Sequence, residues 1–203
     1  MRTDRIEGLT DGIFAIAMTL LVIDLRLPEV AGSLTDAGMW QALAGLASHF
    51  MSYAVSFVIL GILWIGHHNQ MHYIRKSDRS FLWLNILFFL FISLVPFSAS
   101  ILAAASDLRV SAVFYALNLT LAGLALNAIW RYATSHDLTE QKLEPAVIRI
   151  VTIRILTAPA FYVAAILGAL LLPQPLGVNL SHVLFIIPLL VYFFPGRIDR
   201  FLR

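Results

Sequence analysis

Long stretches without any charged side chain alternate with short charged intervals along this chain. The uncharged stretches cover residues 37–66, 80–106, 110–130 and 155–196, and the last contains a Pro-Gln-Pro-Leu-Gly turn sequence at residues 173–177. A helix needs about 20 apolar residues to cross a bilayer, and backbone groups in lipid need partners within their own segment, which favours helices. The pattern predicts five membrane-spanning helices, because the turn divides the last stretch into two.

The N-terminal segment is shorter and predicts a sixth helix. Its uncharged run covers only residues 12–23, with Asp11 before it and Pro28 as the expected helix stop. Arg2 and Arg5 ahead of an apolar run are also typical of a signal peptide, but Asp11 interrupts the approach, so we expect a retained helix. We expect protein or water, not lipid, to shield so short a span. The predicted helices cover residues 4–27, 38–68, 80–105, 110–132, 150–172 and 178–195.

The placement of basic residues predicts the orientation. All of the 14 Lys and Arg residues except Arg26 and Arg109 fall at the termini or in alternate connections. Basic residues favour the cytoplasmic side of a membrane, so both termini are expected in the cytoplasm, which requires an even number of spans. The expected fold class is therefore all-α: one polytopic membrane domain, residues 1–203, with six transmembrane helices.

Composition narrows the range of functions. The chain is 60% hydrophobic and 13% charged, whereas soluble domains carry about 25% charged residues. It has no cysteine, which excludes disulfides and thiol chemistry. Its basic residues act as topology signals, so no nucleic-acid partner is expected. No nucleotide-binding, serine-hydrolase or zinc-protease motif is present, so we expect no enzyme, catalytic residue or cofactor.

The first predicted helix has three distinct faces at 100° per residue. Ile16, Leu20 and Ile23 form a narrow aliphatic stripe, and Asp11 lies roughly opposite it. An adjacent stripe consists of small residues, namely Gly8, Gly12, Ala15 and Thr19. The G-x-x-x-G pair within it has the spacing that lets membrane helices approach closely. An aliphatic stripe is also typical of ordinary bilayer-facing or core residues, so periodicity alone leaves both interpretations open.

The sequence RIEGLTDGIFAIAMTLLVID at residues 5–24 resembles the signature of the transmembrane protein 175 potassium channels. That signature is Arg, three residues, then Phe-Ser-Asp; Arg5 and Asp11 match it, whereas Leu9 and Thr10 replace its Phe and Ser. Residues 64–68 and 78–85, with the later Leu-Val-Pro-Phe, also resemble the family. The resemblance implies a six-helix repeat that, in prokaryotic members, assembles as a homotetramer in the plasma membrane and conducts potassium.

By position, the resemblance places the family's pore lining on the first helix. The hydrophobic constriction falls on Ile16, Leu20 and Ile23, and the layer associated with potassium preference falls on Thr19. Three apolar rings in a tetramer gate by dewetting, since an ion cannot cross them without its water. The permeant ion would be K⁺, with lipid and the other subunits as the remaining partners.

Asp11 is expected to lock the first helix to its neighbours rather than to bind ions. Arg5 and Asp11 are six residues apart and cannot pair on one helix, so each needs another partner. The predicted structural network consists of Arg5, Asp11, Trp64, His67, His68 and Asn85.

Two alternatives stay open. A secondary transporter would need acidic or broken-helix sites near the bilayer midplane. A membrane metalloenzyme would use His67, His68 and His72, because imidazoles bind iron and zinc well. The remaining histidines are single and scattered, so we expect no metal site.

Overall fold

The computed structural model describes residues 3–27 and 35–193, and most of these residues lie in helices. The helices are α1 (Asp4–Leu20), α2 (Asp36–Gly45), α3 (Ala47–Tyr73), α4 (Arg79–Ala104), α5 (Arg109–Ser135), α6 (Pro145–Leu171) and α7 (Leu176–Phe193). A 3-10 turn, Leu21–Asp24, continues α1. Pro28, the expected stop of the first helix, lies outside the described residues.

Within the described residues, five segments are long and apolar enough to cross a membrane: α1 with its 3-10 turn, α3, α4, α5 and α6. The shorter apolar helix α7 accounts for the remaining predicted span. The chain is an all-α polytopic membrane protein, as the sequence predicts. Prolines lie inside α4, α6 and α7, which helices in membranes tolerate.

The stretch predicted as one helix over residues 38–68 differs in the structure. The backbone leaves helical geometry at Leu46 (φ −86°, ψ 3°), which separates α2 from α3. No residue of α2 is buried within the described part of the chain. At its other end α3 continues beyond the apolar run, because His67, Gln70 and Met71 are buried on its inner face. Burial, and not apolar composition, therefore sets the end of this helix.

Glycines allow two close helix contacts in the bundle. A Cβ at Gly123 of α5 would overlap Cγ of Pro159 in α6. A Cβ at Gly177 of α7 would lie 2.5 Å from the carbonyl oxygen of Gly168 in α6. Both pairs need a residue without a side chain, as is typical of membrane helix interfaces. At the first of these contacts, the Pro159 ring fits against α5 where Gly123 has no side chain.

The α3–α4 and α5–α6 connections pair with each other. Ile74 and Thr139 form an antiparallel bridge, and the Arg75 N–H donates to the Leu138 carbonyl oxygen at 3.0 Å. Nε of Arg75 lies 3.2 Å from Oε2 of Glu140. The two connections therefore lie on one side of the bundle, as the predicted orientation requires. We call this paired region the loop clasp.

Asp78 links the start of α4 to the end of α5. Its Oδ1 accepts the Phe81 N–H at 2.8 Å, which caps α4, and its Oδ2 accepts the Tyr132 hydroxyl at 2.8 Å. Both hydrogen bonds lower the pKa of Asp78 below its usual value of 3.8, and the bond from the Phe81 N–H has the larger effect. The capping carboxylate is thus held in its charged form.

Candidate pore helix and its anchors

One face of α1 is buried against α3 and α4. Its inward residues recur every three or four positions, which is the helical period: Ile6, Thr10, Phe14, Ala17 and Leu21. The Phe14 ring centroid lies 6.0 Å from that of Phe88 on α4. The Thr10 hydroxyl donates to the Ile6 carbonyl oxygen at 2.8 Å, so its polar group is satisfied within the helix. This face fixes the rotation of α1 about its axis.

The opposite side of α1 carries the predicted aliphatic stripe. Ile16 is 61% exposed, Leu20 44% and Ile23 52% in the single chain. The stripe thus has no covering element among residues 3–27 and 35–193. An exposed stripe of this kind is compatible both with contact with lipid and with contact with another subunit.

The 3-10 turn aligns the upper part of the stripe. Side chains three residues apart eclipse in a 3-10 helix, so the turn brings Ile23 nearly above Leu20, which a regular α-helix would not do. The rise is about 1.5 Å per residue in the α-helix and 2.0 Å in the turn, so Ile16 to Ile23 spans roughly 12 Å. The stripe is straighter and slightly longer than the sequence indicates.

The two glycines of the G-x-x-x-G pair face open space. A Cβ built on Gly8 or Gly12 would meet no atom within 4 Å, whereas the same construction at Gly123 or Gly177 meets a neighbouring helix. Nothing within the described chain therefore requires glycine at these two positions. Close approach by a helix from outside the chain does require it.

Thr19 lies on the exposed side of α1, beside the aliphatic stripe. Its hydroxyl donates to the Ile16 carbonyl oxygen at 2.9 Å. Because the proton is used within the helix, the oxygen lone pairs are left to face outward. A hydroxyl held this way is an acceptor, the form that contacts a cation.

Asp11 is anchored to α3. Nε1 of Trp64 donates to Oδ1 of Asp11 at 2.8 Å. The His68 ring stacks on Trp64, with centroids 5.6 Å apart and planes 23° from parallel. Asp11 and Trp64 are both exposed in the single chain, so water competes for this hydrogen bond there. The structure selects Trp64 among the partners that the sequence left open for Asp11.

His67 and Asn85 form a second, buried pair between α3 and α4. The Asn85 amide donates to the Phe81 carbonyl oxygen at 2.8 Å, which directs its Oδ1 toward Nε2 of His67 at 2.9 Å. His67 Nε2 is therefore the donor in this pair. The His67 ring also stacks on Phe88, with centroids 5.5 Å apart and planes within 3°. Phe88 thus contacts both the pair and Phe14 of α1, so it joins α1 to the pair.

Two features of the anchors were not visible in the sequence. Phe88 was not predicted; its position one helical turn after Asn85 is the signal that marks it. Arg5 makes no hydrogen bond or ion pair with the described part of the chain, so its place in the network stays a prediction. Four of that network's members form two separate pairs, and His68 supports one of them.

The histidines of the predicted alternative metal site point to different partners. His67 is hydrogen-bonded to Asn85, and His68 stacks on Trp64. His72 packs edge-on against Tyr73, with ring centroids 5.7 Å apart. Among the residues described here, no group of three His, Asp or Glu side chains has the arrangement to hold a metal ion.

The chain resembles known channels in sequence and in fold. A family model described as the endosomal/lysosomal potassium channel TMEM175 matches residues 5–96. A potassium channel of Streptomyces collinus is 35% identical over 136 residues, 64% of this chain and 64% of that protein. A potassium channel of Chamaesiphon minutus is 29% identical over 167 residues, 80% of this chain and 82% of that protein. The first match therefore spans slightly under two thirds of its relative's length.

A solved structure extends the likeness beyond the N-terminal motif. The crystal structure of a lysosomal potassium-selective channel TMEM175 homolog from Chamaesiphon minutus superimposes with a TM-score of 0.77 at 26% identity, and the match covers 93% of this chain and 97% of that one. The family consists of channels and not of enzymes. With the N-terminal motif matched in sequence and the bundle matched over most of its length, this chain is similar to the TMEM175 potassium channels in both sequence and fold.

Proposed function

We propose that this protein is a potassium-permeable cation channel in which four copies of α1 surround a shared pore. The observation that carries the proposal is the exposed side of α1, where the aliphatic stripe stands beside two glycines that face open space. Lipid is a poor match for this side, because the uncharged run of α1 covers only residues 12–23 and a lipid-facing helix needs about 20 apolar residues. The relatives named as potassium channels support K⁺ as the permeant ion.

In this assembly Ile16, Leu20 and Ile23 form three apolar rings that close the pore. Water leaves a narrow apolar passage, and a cation cannot follow without its hydration shell. A small outward shift of α1 widens all three rings together, since the 3-10 turn stacks the upper two. The anchors to α3 and α4 set how far α1 shifts.

Thr19 supplies the potassium preference in this proposal. Its outward oxygen replaces part of the hydration shell of a passing ion, and K⁺ gives up its water more readily than Na⁺. No carbonyl cage of the Thr-Val-Gly-Tyr-Gly type is present in the sequence, so the preference is expected to be modest. We place the channel in the plasma membrane of a prokaryote, and we expect it to need no cofactor.

A transporter is less well supported by the same chain. Helices α3 to α7 contain no Asp or Glu, and the carboxylate of Asp11 is used by Trp64. Secondary transporters bind their substrates and coupling ions near the midplane, often with acidic groups. Nothing in the described spans offers such a group there.

Disulfide trapping tests the assembly, because the chain has no cysteine of its own. Leu20→Cys places one thiol per subunit at the proposed pore, and Leu167→Cys places one at a comparably exposed position on α6. A disulfide needs Cα atoms within about 4.4–6.8 Å. We expect oxidation to cross-link Leu20→Cys subunits and to leave Leu167→Cys monomeric on denaturing gels. Cross-linking of neither variant, or of Leu167→Cys alone, would place α1 away from the symmetry axis.

Flux from potassium-loaded liposomes tests the gate and the selectivity. Ile16→Asn hydrates the lowest ring and is expected to raise basal K⁺ flux, whereas Val22→Asn changes an exposed residue beside the stripe and is expected to leave the flux unchanged. Thr19→Ala should lower the K⁺ to Na⁺ ratio, and Thr19→Ser should preserve it. N-methylglucamine serves as the impermeant comparator. If Ile16→Asn shows the same basal K⁺ flux as the parent, the assignment of the gate to this ring is wrong.

A further inference from the structure

A second feature of the bundle lies away from α1. A cavity of about 260 Å³ opens between α3, α5, α6 and α7. Its walls are mainly apolar and include Ile59, Leu119, Ile155, Ala158, Tyr162 and Pro188. The volume is near the lower end of the roughly 300–1,000 Å³ typical of small-molecule sites, and it suits a segment of one acyl chain.

The polar groups of the cavity belong to the cytoplasmic halves of its helices. Arg154 lines it from α6, with its guanidinium 5.5 Å from the centre of the Tyr192 ring. The Tyr192 hydroxyl donates to the Arg154 backbone carbonyl oxygen at 2.7 Å, which fixes the ring. The site thus combines an apolar recess with a positive charge near the membrane surface.

Gln70 supplies an independent sign that the cavity receives a ligand. Its side chain is 1% exposed and lines the cavity. Its Nε2 donates to the Leu126 carbonyl oxygen at 3.3 Å, but its Oε1 accepts no hydrogen bond from the described residues. A buried acceptor without a donor destabilises the protein, because it has lost its hydrogen bonds to water. A ligand that carries a hydroxyl into the cavity would remove this cost.

We propose that this cavity binds an anionic phospholipid of the cytoplasmic leaflet, of the class whose headgroup bears free hydroxyls. The acyl chain enters the apolar recess, the phosphate pairs with Arg154, and a headgroup hydroxyl donates to Oε1 of Gln70. Basic recesses between membrane helices on the cytoplasmic side favour anionic headgroups. Helix α1 packs on α3 and α4, so the lipid-facing position of α6 and α7 rests on the proposed assembly around α1.

Native mass spectrometry of the purified channel tests the site with phosphatidylglycerol and phosphatidylcholine of identical acyl chains. We expect preferential retention of phosphatidylglycerol. Arg154→Gln should weaken it about fivefold, as expected for one basic residue near the surface, while Arg149→Gln, an exposed charge on the same helix outside the cavity, should not. Ala158→Phe should fill the recess and reduce retention of both lipids, and Val163→Phe, exposed on the same helix outside the cavity, should not.

Equal retention of the two lipids by the parent, or parental retention in both Arg154→Gln and Ala158→Phe, would overturn the proposal as adventitious binding only. Loss of oligomers in Ala158→Phe but not in Val163→Phe would also overturn it, by identifying this face as a contact between subunits. Lipid retention is measured without ion flux. Failure of the lipid site alone would therefore appear in the mass spectra while the flux and cross-linking results stay as expected, whereas failure of the pore proposal would appear in the flux and cross-linking data.

Discussion

Replacing Asn85 by leucine removes the acceptor to which His67 donates. Both side chains are 1% exposed, so water does not reach the orphaned Nε2–H. The Phe81 carbonyl oxygen also loses the amide donor, but it still accepts a bond within its own helix. The dominant effect of Asn85→Leu is therefore one buried N–H without a partner.

An unsatisfied buried donor costs about 1–3 kcal/mol, a factor of roughly 5 to 150 in the unfolding equilibrium constant. Asn118→Leu is the matched control, because Asn118 is equally buried on α5 and donates only to the Ser98 hydroxyl at 3.2 Å. Ser98 keeps its own bond to the Val95 carbonyl oxygen, so this change orphans no N–H. We expect the control to lie within about 1 kcal/mol of the parent, since it removes one neutral bond together with the buried Oδ1 of Asn118, which accepts no hydrogen bond from the described residues.

The assay is reversible unfolding in mixed micelles, read as the free energy of unfolding. The double variant His67→Phe with Asn85→Leu removes both polar partners, and we expect it to recover most of the loss, because replacing both members of a pair by apolar groups is nearly neutral. A single variant as stable as the parent would refute the assignment of the hydrogen bond. So would a double variant whose loss equals the sum of the two single losses.

Three further predictions follow from other contacts. Trp64→Phe keeps an aromatic ring but removes the indole N–H that donates to Asp11. Potassium flux should therefore change while the oligomer stays intact. Unchanged flux would show that the bond does not position α1. Gly123→Ala should destabilise the protein by about 1–3 kcal/mol through overpacking, whereas Gly61→Ala, whose Cβ would only reach ordinary contact at 3.6 Å, should be nearly neutral; equal unfolding free energies would refute the close helix contact. The pKa of Asp78 is lowered by folding, so its contribution to stability is present above its usual value of 3.8 and is lost as the pH falls through the lower folded value. The stability of Asp78→Asn should therefore fall less steeply with decreasing pH in this range than the stability of the parent. A pH profile of stability identical to the parent's would contradict this.

The sequence predicted the features that depend on local pattern. Apolar length located the spans, and the period of 3.6 residues placed Ile16 and Leu20 on one side of α1. These signals are local because each helix must satisfy its own backbone in lipid. The face that the structure leaves uncovered is the face that this period selects.

The remaining features depend on contacts between distant residues. Asp11 and Trp64 are 53 positions apart in the chain, and no spacing rule selects one indole among several polar neighbours. The break at Leu46 follows a helix that has no buried residue within the described chain, and apolar composition does not reveal it. The 3-10 turn after Leu20 likewise lacks a proline or glycine to announce it. These features depend on packing between helices, which the hydrophobic pattern of the sequence does not contain.

The loop clasp has a mechanical consequence. Because backbone hydrogen bonds join the two cytoplasmic connections, neither moves far unless the other follows or those bonds break. A pull on the α5–α6 connection is therefore transmitted to the end of α3, the helix that carries Trp64. A cytoplasmic factor that binds either connection would therefore act on both. The force would reach α1 through the hydrogen bond between Trp64 and Asp11.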